Sequence, residues 1–299
     1  MPPPELYFVV SAVFHYLGPS FAVLLFARVP VLGVAWLRVA SAAVIFALWR
    51  RPLGVLRTPS VWAWGATLAV MNCCFYEAIH RLPLGTVAAI EFAPVVALAA
   101  FGARTARNLG ALALAVGGVA LLSDVQLAGS PLGFAFAVAN ALLFALYIVL
   151  AHRASRLAGL DGLAAAMLVA AVLVTPVGGA AVVKVLDDPV ALLAGVGVGI
   201  SSSVIPYVTD QLAMARLPRA TYALMVALLP ATAVLIGVIV LRQLPSVAEL
   251  VAVGLVIAGV AIHHDPGDGA SDQAAAGAAA VSGAGAGVDG STGAAWDSA

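Results

Sequence analysis

The 299-residue chain is 63% hydrophobic and only 9% charged, whereas a soluble globular protein carries roughly 25% charged residues. So few charges cannot cover a water-facing surface, so the composition excludes a soluble protein and indicates an integral membrane protein. The formal net charge of zero also excludes the broad basic surface that nucleic-acid binding requires.

Apolar runs of the length that crosses a bilayer as a helix, about 17–25 residues, recur along the chain. No basic segment or small-residue cleavage site precedes the first run, so we expect a retained helix and not a signal peptide. Ten runs are predicted, at 6–27, 31–49, 61–79, 84–102, 108–123, 130–151, 162–183, 190–214, 219–241 and 246–263. The fifth run is short, which leaves nine spans as the alternative count. The Gly-, Ala- and Ser-rich stretch 265–299 is typical of a disordered tail.

The basic residues of the linkers predict the orientation in the membrane, because cytoplasmic loops carry an excess of Lys and Arg. With ten spans, alternate linkers share a side. One side then holds nine basic residues, Arg50, Arg51, Arg57, Arg104, Arg107, Arg153, Arg156, Arg216 and Arg219. The other side holds four, Arg28, Arg81, Lys184 and Arg242. This excess of basic residues on one side places both termini in the cytoplasm. It also favours ten spans, because nine spans would distribute the same basic residues over both sides.

Two stretches with the same register indicate an internal repeat. "RLPLGTVAA" at 81–89 precedes the fourth run and "RLPRATYAL" at 216–224 precedes the ninth, and Pro94 and Pro230 follow in the two runs. Five spans is an odd number, so two five-span halves must have opposite orientations, as in many secondary transporters. We therefore predict an all-α polytopic membrane protein of ten transmembrane helices in two inverted five-helix repeats, 1–128 and 129–264, with a disordered cytoplasmic tail at 265–299.

The stretch "MNCCFYEAIHRLPLGTVAAIEF" at 71–92 resembles the drug/metabolite transporter superfamily, in its EamA-type branch. Within that branch it is most similar to the threonine/homoserine exporters. The residues that carry the resemblance are Met71, Asn72, Phe75, Tyr76, Pro83, Leu84, Gly85, Glu91 and Phe92. It extends over about 6–263 and implies a secondary transporter of small amino acids. The chain departs from the family pattern at Leu229, where a Glu usually precedes the proline, and at Asp210, where the exporters tend to have Glu.

Glu91 is the first candidate site residue, because it lies seven residues into its run, about 10 Å from the end of a helix. A charged residue at the centre of a membrane helix costs about 2.5–3.5 kcal/mol, so it is usually paired or functional. We expect Glu91 to bind a substrate amine or a proton; the alternative is a structural carboxylate hydrogen-bonded between helices. Arg38 lies equally deep in the second run. It could hold a substrate carboxylate, or it could pair with Glu91 as a fixed bridge between helices.

Further polar residues within the runs are candidates for the same site. The predicted substrate-binding residues are Glu91, Arg38, Asn72, Tyr76, Tyr147, Tyr207 and Asp210. The predicted proton-coupling residues are Glu91, Glu77 and His15. The alternative for each is a polar group that is satisfied by a neighbouring helix, or in the case of Glu77 a side chain that reaches water at the end of its helix. The serines at 201–203, followed by Pro206, predict a broken or kinked helix, of a kind that often lines a site.

No motif for ATP binding, metal binding or nucleophilic catalysis occurs, and Cys73 and Cys74 are adjacent in an apolar run. We therefore expect no cofactor, no metal and no enzymatic activity. The predicted function is proton-driven export of threonine, homoserine or related metabolites across the bacterial inner membrane. The predicted partners are the small-molecule substrate, protons and the lipid bilayer but not nucleic acid, and a homodimer is left open. The alternatives are a drug or other metabolite exporter of the same superfamily, a passive channel and a membrane-embedded enzyme.

Overall fold

The computed structural model describes residues 3–102, 105–214, 216–217, 225–226 and 228–262. Within these ranges all regular secondary structure is helical and no strand is present. The predicted tail at 265–299 lies outside the described residues.

The first half of the chain forms five helices joined by short linkers. They are α1 (Pro4–Leu25), α2 (Val31–Arg50), α3 (Pro59–Ile79), α4 (Leu84–Gly102) and α5 (Ala106–Gly129), with a 3₁₀ turn at Pro52–Arg57 between α2 and α3. The fifth predicted run looked short in the sequence, but α5 is 24 residues long. Its apolar part is Ala106–Leu122, and the number of spans stays a prediction.

The second half begins with one long helical stretch and continues through two π-helical segments. Its elements are α6 (Pro131–Val174), a π segment at Thr175–Gly179, α7 (Ala180–Val183), α8 (Pro189–Gly199), a π segment at Ile200–Val204, α9 (Ile205–Met214), α10 (Leu229–Leu241) and α11 (Val247–Ile262).

Four helical stretches are long and apolar enough to cross a membrane, namely Glu5–Leu25, Val31–Arg50, Pro131–Ala151 and Asp161–Val183. Five shorter apolar helices accompany them, at Leu84–Pro94, Ala106–Leu122, Pro189–Val204, Leu229–Leu241 and Val247–Ile262. Large apolar side chains such as Leu48, Leu142 and Leu193 are exposed on the outside of the bundle. These are the features of a polytopic α-helical membrane protein.

The helical stretch α6 folds back on itself. In a straight helix Tyr147 and Val169 would be separated by about 33 Å. The Tyr147 ring nevertheless lies 5.7 Å from the ring of Trp64, and a Cβ at the adjacent Gly65 would lie 2.6 Å from the Cβ of Val169. The two arms of α6, which are its parts before Ala151 and after Asp161, therefore pack on the same turn of α3. The chain reverses between these two residues, as the predicted linker at 152–161 requires.

The helices of the two halves are interleaved. Helix α1 packs against α8, α9 and α10, α2 packs between α6 and α8, and α3 packs against both arms of α6. Helix α4 contacts α6, α10 and α11, and α5 packs along α11. The pairs α4–α10 and α5–α11 join elements that the predicted repeat makes equivalent. Every helix of the first half is thus held by the second half.

The first turn of α4 is hydrogen-bonded to the loop between α10 and α11 and to the first turn of α11. The Leu84 N–H donates to the Gln243 side-chain oxygen (3.0 Å), and the Thr86 hydroxyl donates to the Glu249 carboxylate (3.3 Å). Glu249 also accepts a hydrogen bond from the Ser246 N–H, while its own N–H donates to the Ser246 hydroxyl (2.8 and 3.2 Å). This reciprocal capping box fixes the start of α11. Glu249 is therefore a second buried acid that the sequence analysis did not identify.

Two glycines let α8 and the π segment at 200–204 approach α1 and α2 closely. A Cβ at Gly18 would lie 2.7 Å from the backbone nitrogen of Ser202, and a Cβ at Gly199 would lie 2.8 Å from the Arg38 carbonyl oxygen. Only a residue without a Cβ fits at either position. These contacts bring the serine-rich segment directly against Arg38.

We predict that Gly199→Ala destabilises the protein by about 1–3 kcal/mol, the usual cost of overpacking a close helix contact. Gly197 is the matched control in the same helix, because a Cβ there would meet nothing within 4 Å. Gly197→Ala should be neutral or stabilising by up to about 1 kcal/mol, from helix propensity alone. Thermal unfolding of the detergent-purified proteins measures the difference; equal midpoints for the two variants would contradict the packing described above.

Candidate functional site

A group of buried polar side chains lies where α1, α2, α3, α4, α6 and the π segment at 200–204 meet. We call it the central polar cluster, and its members are His15, Tyr16, Arg38, Tyr76, Glu91, Asn140, Ser202 and Ser203. Each member contacts another through a hydrogen bond or a ring contact, and Tyr16 also interacts electrostatically with Glu91. Polar residues are rare in such apolar helices, so their convergence marks this region as the candidate site.

Glu91 lies at the centre of the cluster and is 4% exposed. The Asn140 amide Nδ2 donates a hydrogen bond to its Oε1 atom at 3.1 Å. The next residue, Phe92, packs edge-on against Phe144 with ring centroids 6.2 Å apart. Because Asn140 and Phe144 are four residues apart on one face of α6, these two contacts fix α4 and α6 in a single register. Tyr16 and Arg38 lie near enough to interact electrostatically with the carboxylate.

Arg38 is half-buried and is held by the π segment at 200–204. Its Nε donates to the Ser203 hydroxyl (3.3 Å), and its Nη2 donates to the Ser202 carbonyl (3.4 Å). The Tyr76 ring lies 5.6 Å from the guanidinium carbon, which adds a cation–π contact. Both hydrogen-bond partners are uncharged.

A direct pair between Arg38 and Glu91, which the sequence analysis raised as one alternative, is not formed in this structure. The ion pairs among the described residues are Arg28–Asp188, Arg50–Asp161 and Arg81–Glu77. Arg38 and Glu91 interact only at longer range, and each is held by its own neutral neighbours. The cluster therefore contains a positive and a negative centre that remain separate.

At the serines, where the sequence predicts a broken or kinked helix, the structure has the π segment Ile200–Val204. Pro206 has no N–H, so the helical hydrogen bond from residue 206 to the Ser202 carbonyl cannot form. The carbonyl is instead the acceptor for Arg38. Ser201 and Ser202 donate back to carbonyls of their own helix, at Gly197 and Val198 respectively. Such π segments frequently mark functional sites.

Three buried polar atoms in the cluster have no hydrogen-bond partner among the described residues, namely the hydroxyls of Tyr16 and Tyr76 and the Asn140 Oδ1. The Tyr76 hydroxyl lies beside Arg38 and Ser202 but completes no well-aligned hydrogen bond with them. A buried polar atom without a partner costs about 1–3 kcal/mol. Three of them in one place indicate a site whose polar groups are completed by a ligand or by water.

The structure places the other predicted residues at different distances from the cluster. His15 is buried edge-on against Tyr16, with ring centroids 5.0 Å apart. Asn72 is buried one turn before Tyr76 on the same face of α3, and its amide donates to the Leu68 carbonyl of its own helix at 2.9 Å. Both residues therefore lie in or beside the central polar cluster.

Glu77 and Tyr147 lie away from it. Glu77 pairs with Arg81 at the end of α3, and the Arg81 guanidinium lies over the ring of Phe136. Tyr147 is fully buried against Trp64 in the apolar contact between α3 and α6. The backbones of Tyr207 and Asp210 belong to α9, and their side chains lie outside what the structure describes.

Four members of the cluster were not among the predicted site residues although each had a signal in the sequence. Tyr16 adjoins the predicted His15, and Ser202 and Ser203 were noted only as the cause of a kink. Asn140 stands as a polar residue in an otherwise apolar run, which is the same signal that identified Glu91. Within the described part of the chain, no three His, Cys, Asp or Glu residues converge in a way that could hold a metal ion.

Comparisons with known proteins point in one direction. The EamA-like transporter family matches residues 131–263. Over 252 residues, 81% of this chain and 84% of the relative, the sequence is 31% identical to the threonine/homoserine exporter RhtA of Escherichia coli strain K12. It is 30% identical over the same shares to the exporter of that name from Salmonella typhimurium strain LT2. The fold is similar to a crystal structure of a protein with 20% identity, a TM-score of 0.50 and coverage of 86% of this chain and 96% of the other.

We predict that Ser203→Ala destabilises the protein by about 1 kcal/mol or more, because it removes an acceptor from a partly buried guanidinium. Ser41→Ala is the matched control, since the Ser41 hydroxyl donates only to the Leu37 and Arg38 carbonyls of its own helix. Its loss should cost less than about 0.5 kcal/mol. Unfolding in mixed detergent micelles gives both free energies. A Ser41 variant as destabilised as the Ser203 variant would show that Ser203 does not hold Arg38.

Proposed function

We propose that this chain, which belongs to the EamA-like transporter family, is a secondary active exporter of small amino acids such as threonine and homoserine or of related metabolites. Its relatives are transporters and not enzymes, and its apolar helices suit the same membrane setting. The assignment of the substrate and of the energy source rests on the geometry of the central polar cluster.

The separation of Arg38 from Glu91 is the observation that carries this proposal. An amino acid in solution is a zwitterion, with a carboxylate and an ammonium group on one carbon. The cluster presents a guanidinium and a carboxylate that are near each other but are not paired. A zwitterion placed between them would give each buried charge an opposite partner. A purely apolar or singly charged ligand would leave one of them without such a partner.

The roles of the residues follow from their chemistry. Arg38 would bind the substrate carboxylate, since its described hydrogen bonds use Nε and Nη2 and leave Nη1 available. Glu91 would bind the ammonium group. The hydroxyls of Tyr16 and Tyr76 are buried without partners and could bind the side-chain hydroxyl that threonine and homoserine share. The remaining predicted substrate-binding residues stay proposals, namely Asn72, Tyr147, Tyr207 and Asp210.

Proton antiport is the energy source that we propose, because the sequence contains no ATP-binding motif. A carboxylate such as Glu91 can hold either a proton or a cationic amine, but not both at once. Alternate occupation of this kind would couple the outward movement of substrate to the inward movement of protons. His15, beside Tyr16 in the cluster, and Glu77, at the end of α3, remain the other proposed proton-coupling residues.

We further propose that the two halves are inverted five-helix repeats in a ten-helix bundle of the bacterial inner membrane, with both termini in the cytoplasm. The packing of α4 on α10 and of α5 on α11 supports this arrangement, since the repeat makes the members of each pair equivalent. Rocking of such halves about a central site alternates its access. The hydrogen bonds from Leu84 to the α10–α11 loop and from Thr86 to α11, together with the Arg28–Asp188 pair, would then hold one end closed.

Export of a drug or another metabolite is the second candidate, and Leu229 favours it. This residue replaces the Glu that the family usually has before the proline, and it is buried in the apolar core. A site that lacks this second acid could accept a different substrate. A passive channel or a membrane-embedded enzyme is disfavoured by the family assignment, and counterflow of labelled substrate in proteoliposomes separates a carrier from a channel.

Labelled threonine, homoserine and a cationic dye, offered to inverted vesicles with an imposed pH gradient, test the proposal. We expect gradient-driven uptake of the amino acids. Arg38→Gln and Glu91→Gln should each reduce it about tenfold or more, the equivalent of at least about 1.4 kcal/mol of lost binding. The matched controls are Arg50→Gln and Asp161→Asn, which remove an exposed ion pair outside the cluster and should leave uptake near the wild-type rate.

Several outcomes would contradict the proposal. Full transport by Arg38→Gln would exclude this residue as the carboxylate site. An unchanged pH profile in Glu91→Gln would remove Glu91 from proton coupling. Uptake of the dye without uptake of either amino acid would favour the second candidate.

A further inference from the structure

We propose that Asn140 determines specificity in the central polar cluster: together with Glu91 it binds the primary ammonium group of the substrate, and its Oδ1 accepts one of the three N–H bonds. This inference rests on the proposed function, because it assigns a further residue to the same site. Neither the family resemblance nor the polar pattern around 71–92 pointed to this asparagine.

The hydrogen bonding of the two polar side-chain atoms of Asn140 carries the inference. Asn140 is completely buried in α6. Its Nδ2 donates to the Glu91 Oε1 atom at 3.1 Å, whereas its Oδ1 has no hydrogen-bond partner among the described residues. While Glu91 is ionised its carboxylate only accepts hydrogen bonds, so in the state that would bind an ammonium group the amide nitrogen faces Glu91. The oxygen beside it is an acceptor that needs a donor.

A donor that binds this oxygen also lies close to the Glu91 carboxylate, because the nitrogen and oxygen of an amide share one carbon. An uncharged donor would gain only the bond to Oδ1. A cationic donor would also be attracted by the carboxylate, and hydrogen bonds between charged groups are roughly twice as strong as neutral ones. An ammonium group therefore matches this pair of acceptors better than a hydroxyl does.

The number of acceptors selects a primary ammonium. Such a group has three N–H bonds, and the Glu91 carboxylate and Asn140 Oδ1 account for two of them. We assign the third to the carbonyl of Ile90, the residue before Glu91, because Pro94 has no N–H to complete the helical hydrogen bond of that carbonyl. An N-methylated amine has one N–H fewer and places a methyl group against a polar atom. It would leave one buried acceptor unsatisfied, at a cost of about 1–3 kcal/mol.

The alternative is that Asn140 only links α6 to α4. A structural role of this kind would affect all substrates equally, since it would change the position of Glu91 or the stability of the bundle. A direct contact with the ammonium group would affect primary and N-methylated amines differently. The ratio of transport rates for two such substrates therefore separates the two roles.

The experiment compares labelled L-threonine with N-methyl-L-threonine in proteoliposomes that contain the full-length protein. The wild type should prefer threonine by about tenfold, as the loss of one charge-assisted hydrogen bond implies. Asn140→Leu should raise KM for threonine about tenfold, change kcat less and reduce the preference to below about threefold. Asn140→Asp keeps an acceptor oxygen at this position and should retain more of the preference than the leucine variant does. Thr67→Val is the control, because the Thr67 hydroxyl donates only within its own helix.

The outcomes distinguish this inference from the proposed function. If the wild type transports threonine and Asn140→Leu keeps the wild-type ratio of the two substrates, the inference is overturned and the exporter assignment stands. If the wild type transports neither amino acid, the proposed function itself fails. If the leucine variant does not fold, the ratio of the two substrates is measured for Asn140→Ser instead. A wild-type ratio in the serine variant would equally overturn the assignment of Asn140.

Discussion

The burial of the Glu91 carboxylate is the constraint on which the rest of the site depends. A charge in an apolar bundle requires hydrogen-bond donors or an opposite charge within reach. Asn140 supplies the hydrogen bond from α6, and Arg38 from α2 adds a longer-range attraction. This one side chain of α4 thus interacts with groups from two further helices. Phe92 and Phe144 complete the arrangement, because their contact holds α4 and α6 at the spacing that the hydrogen bond needs.

Arg38 is subject to the same constraint, and the backbone satisfies it. Pro206 removes a helical hydrogen bond and so releases the Ser202 carbonyl, while Gly18 and Gly199 let the π segment approach α1 and α2. The irregular backbone thus gives Arg38 neutral hydrogen-bond partners. Without them, Arg38 would need a direct ion pair with Glu91. Because these partners are uncharged, Arg38 retains its capacity to bind an anion.

The sequence predicted the helices better than it predicted which way they face. Apolar runs, short linkers and the break at the serines were read from composition and period, and the reversal after Ala151 was expected from the linker. Glu91 and Arg38 stood out because a charge in an apolar run is conspicuous. Several helices are apolar on all sides, however, so no stripe in the sequence shows which residues face the site. Tyr147 was therefore predicted as a site residue and is found packed on Trp64, whereas Asn140, which was not predicted, is found donating a hydrogen bond to Glu91.

Among the described residues two acids are buried, Glu91 and Glu249, and they lie in different halves of the chain but both hold α4 through hydrogen bonds. Glu91 belongs to α4, and Glu249 of α11 accepts the hydrogen bond from Thr86 in the first turn of α4. Thr86 and Glu91 are five residues apart, about 7.5 Å along the axis. Helices are stiff over such a distance, so α4 cannot move at Glu91 without moving at Thr86. Under the proposed function, a ligand that draws Glu91 toward Arg38 would therefore also act on the contacts between α4 and the other half, and this would link occupation of the site to the opening of one end.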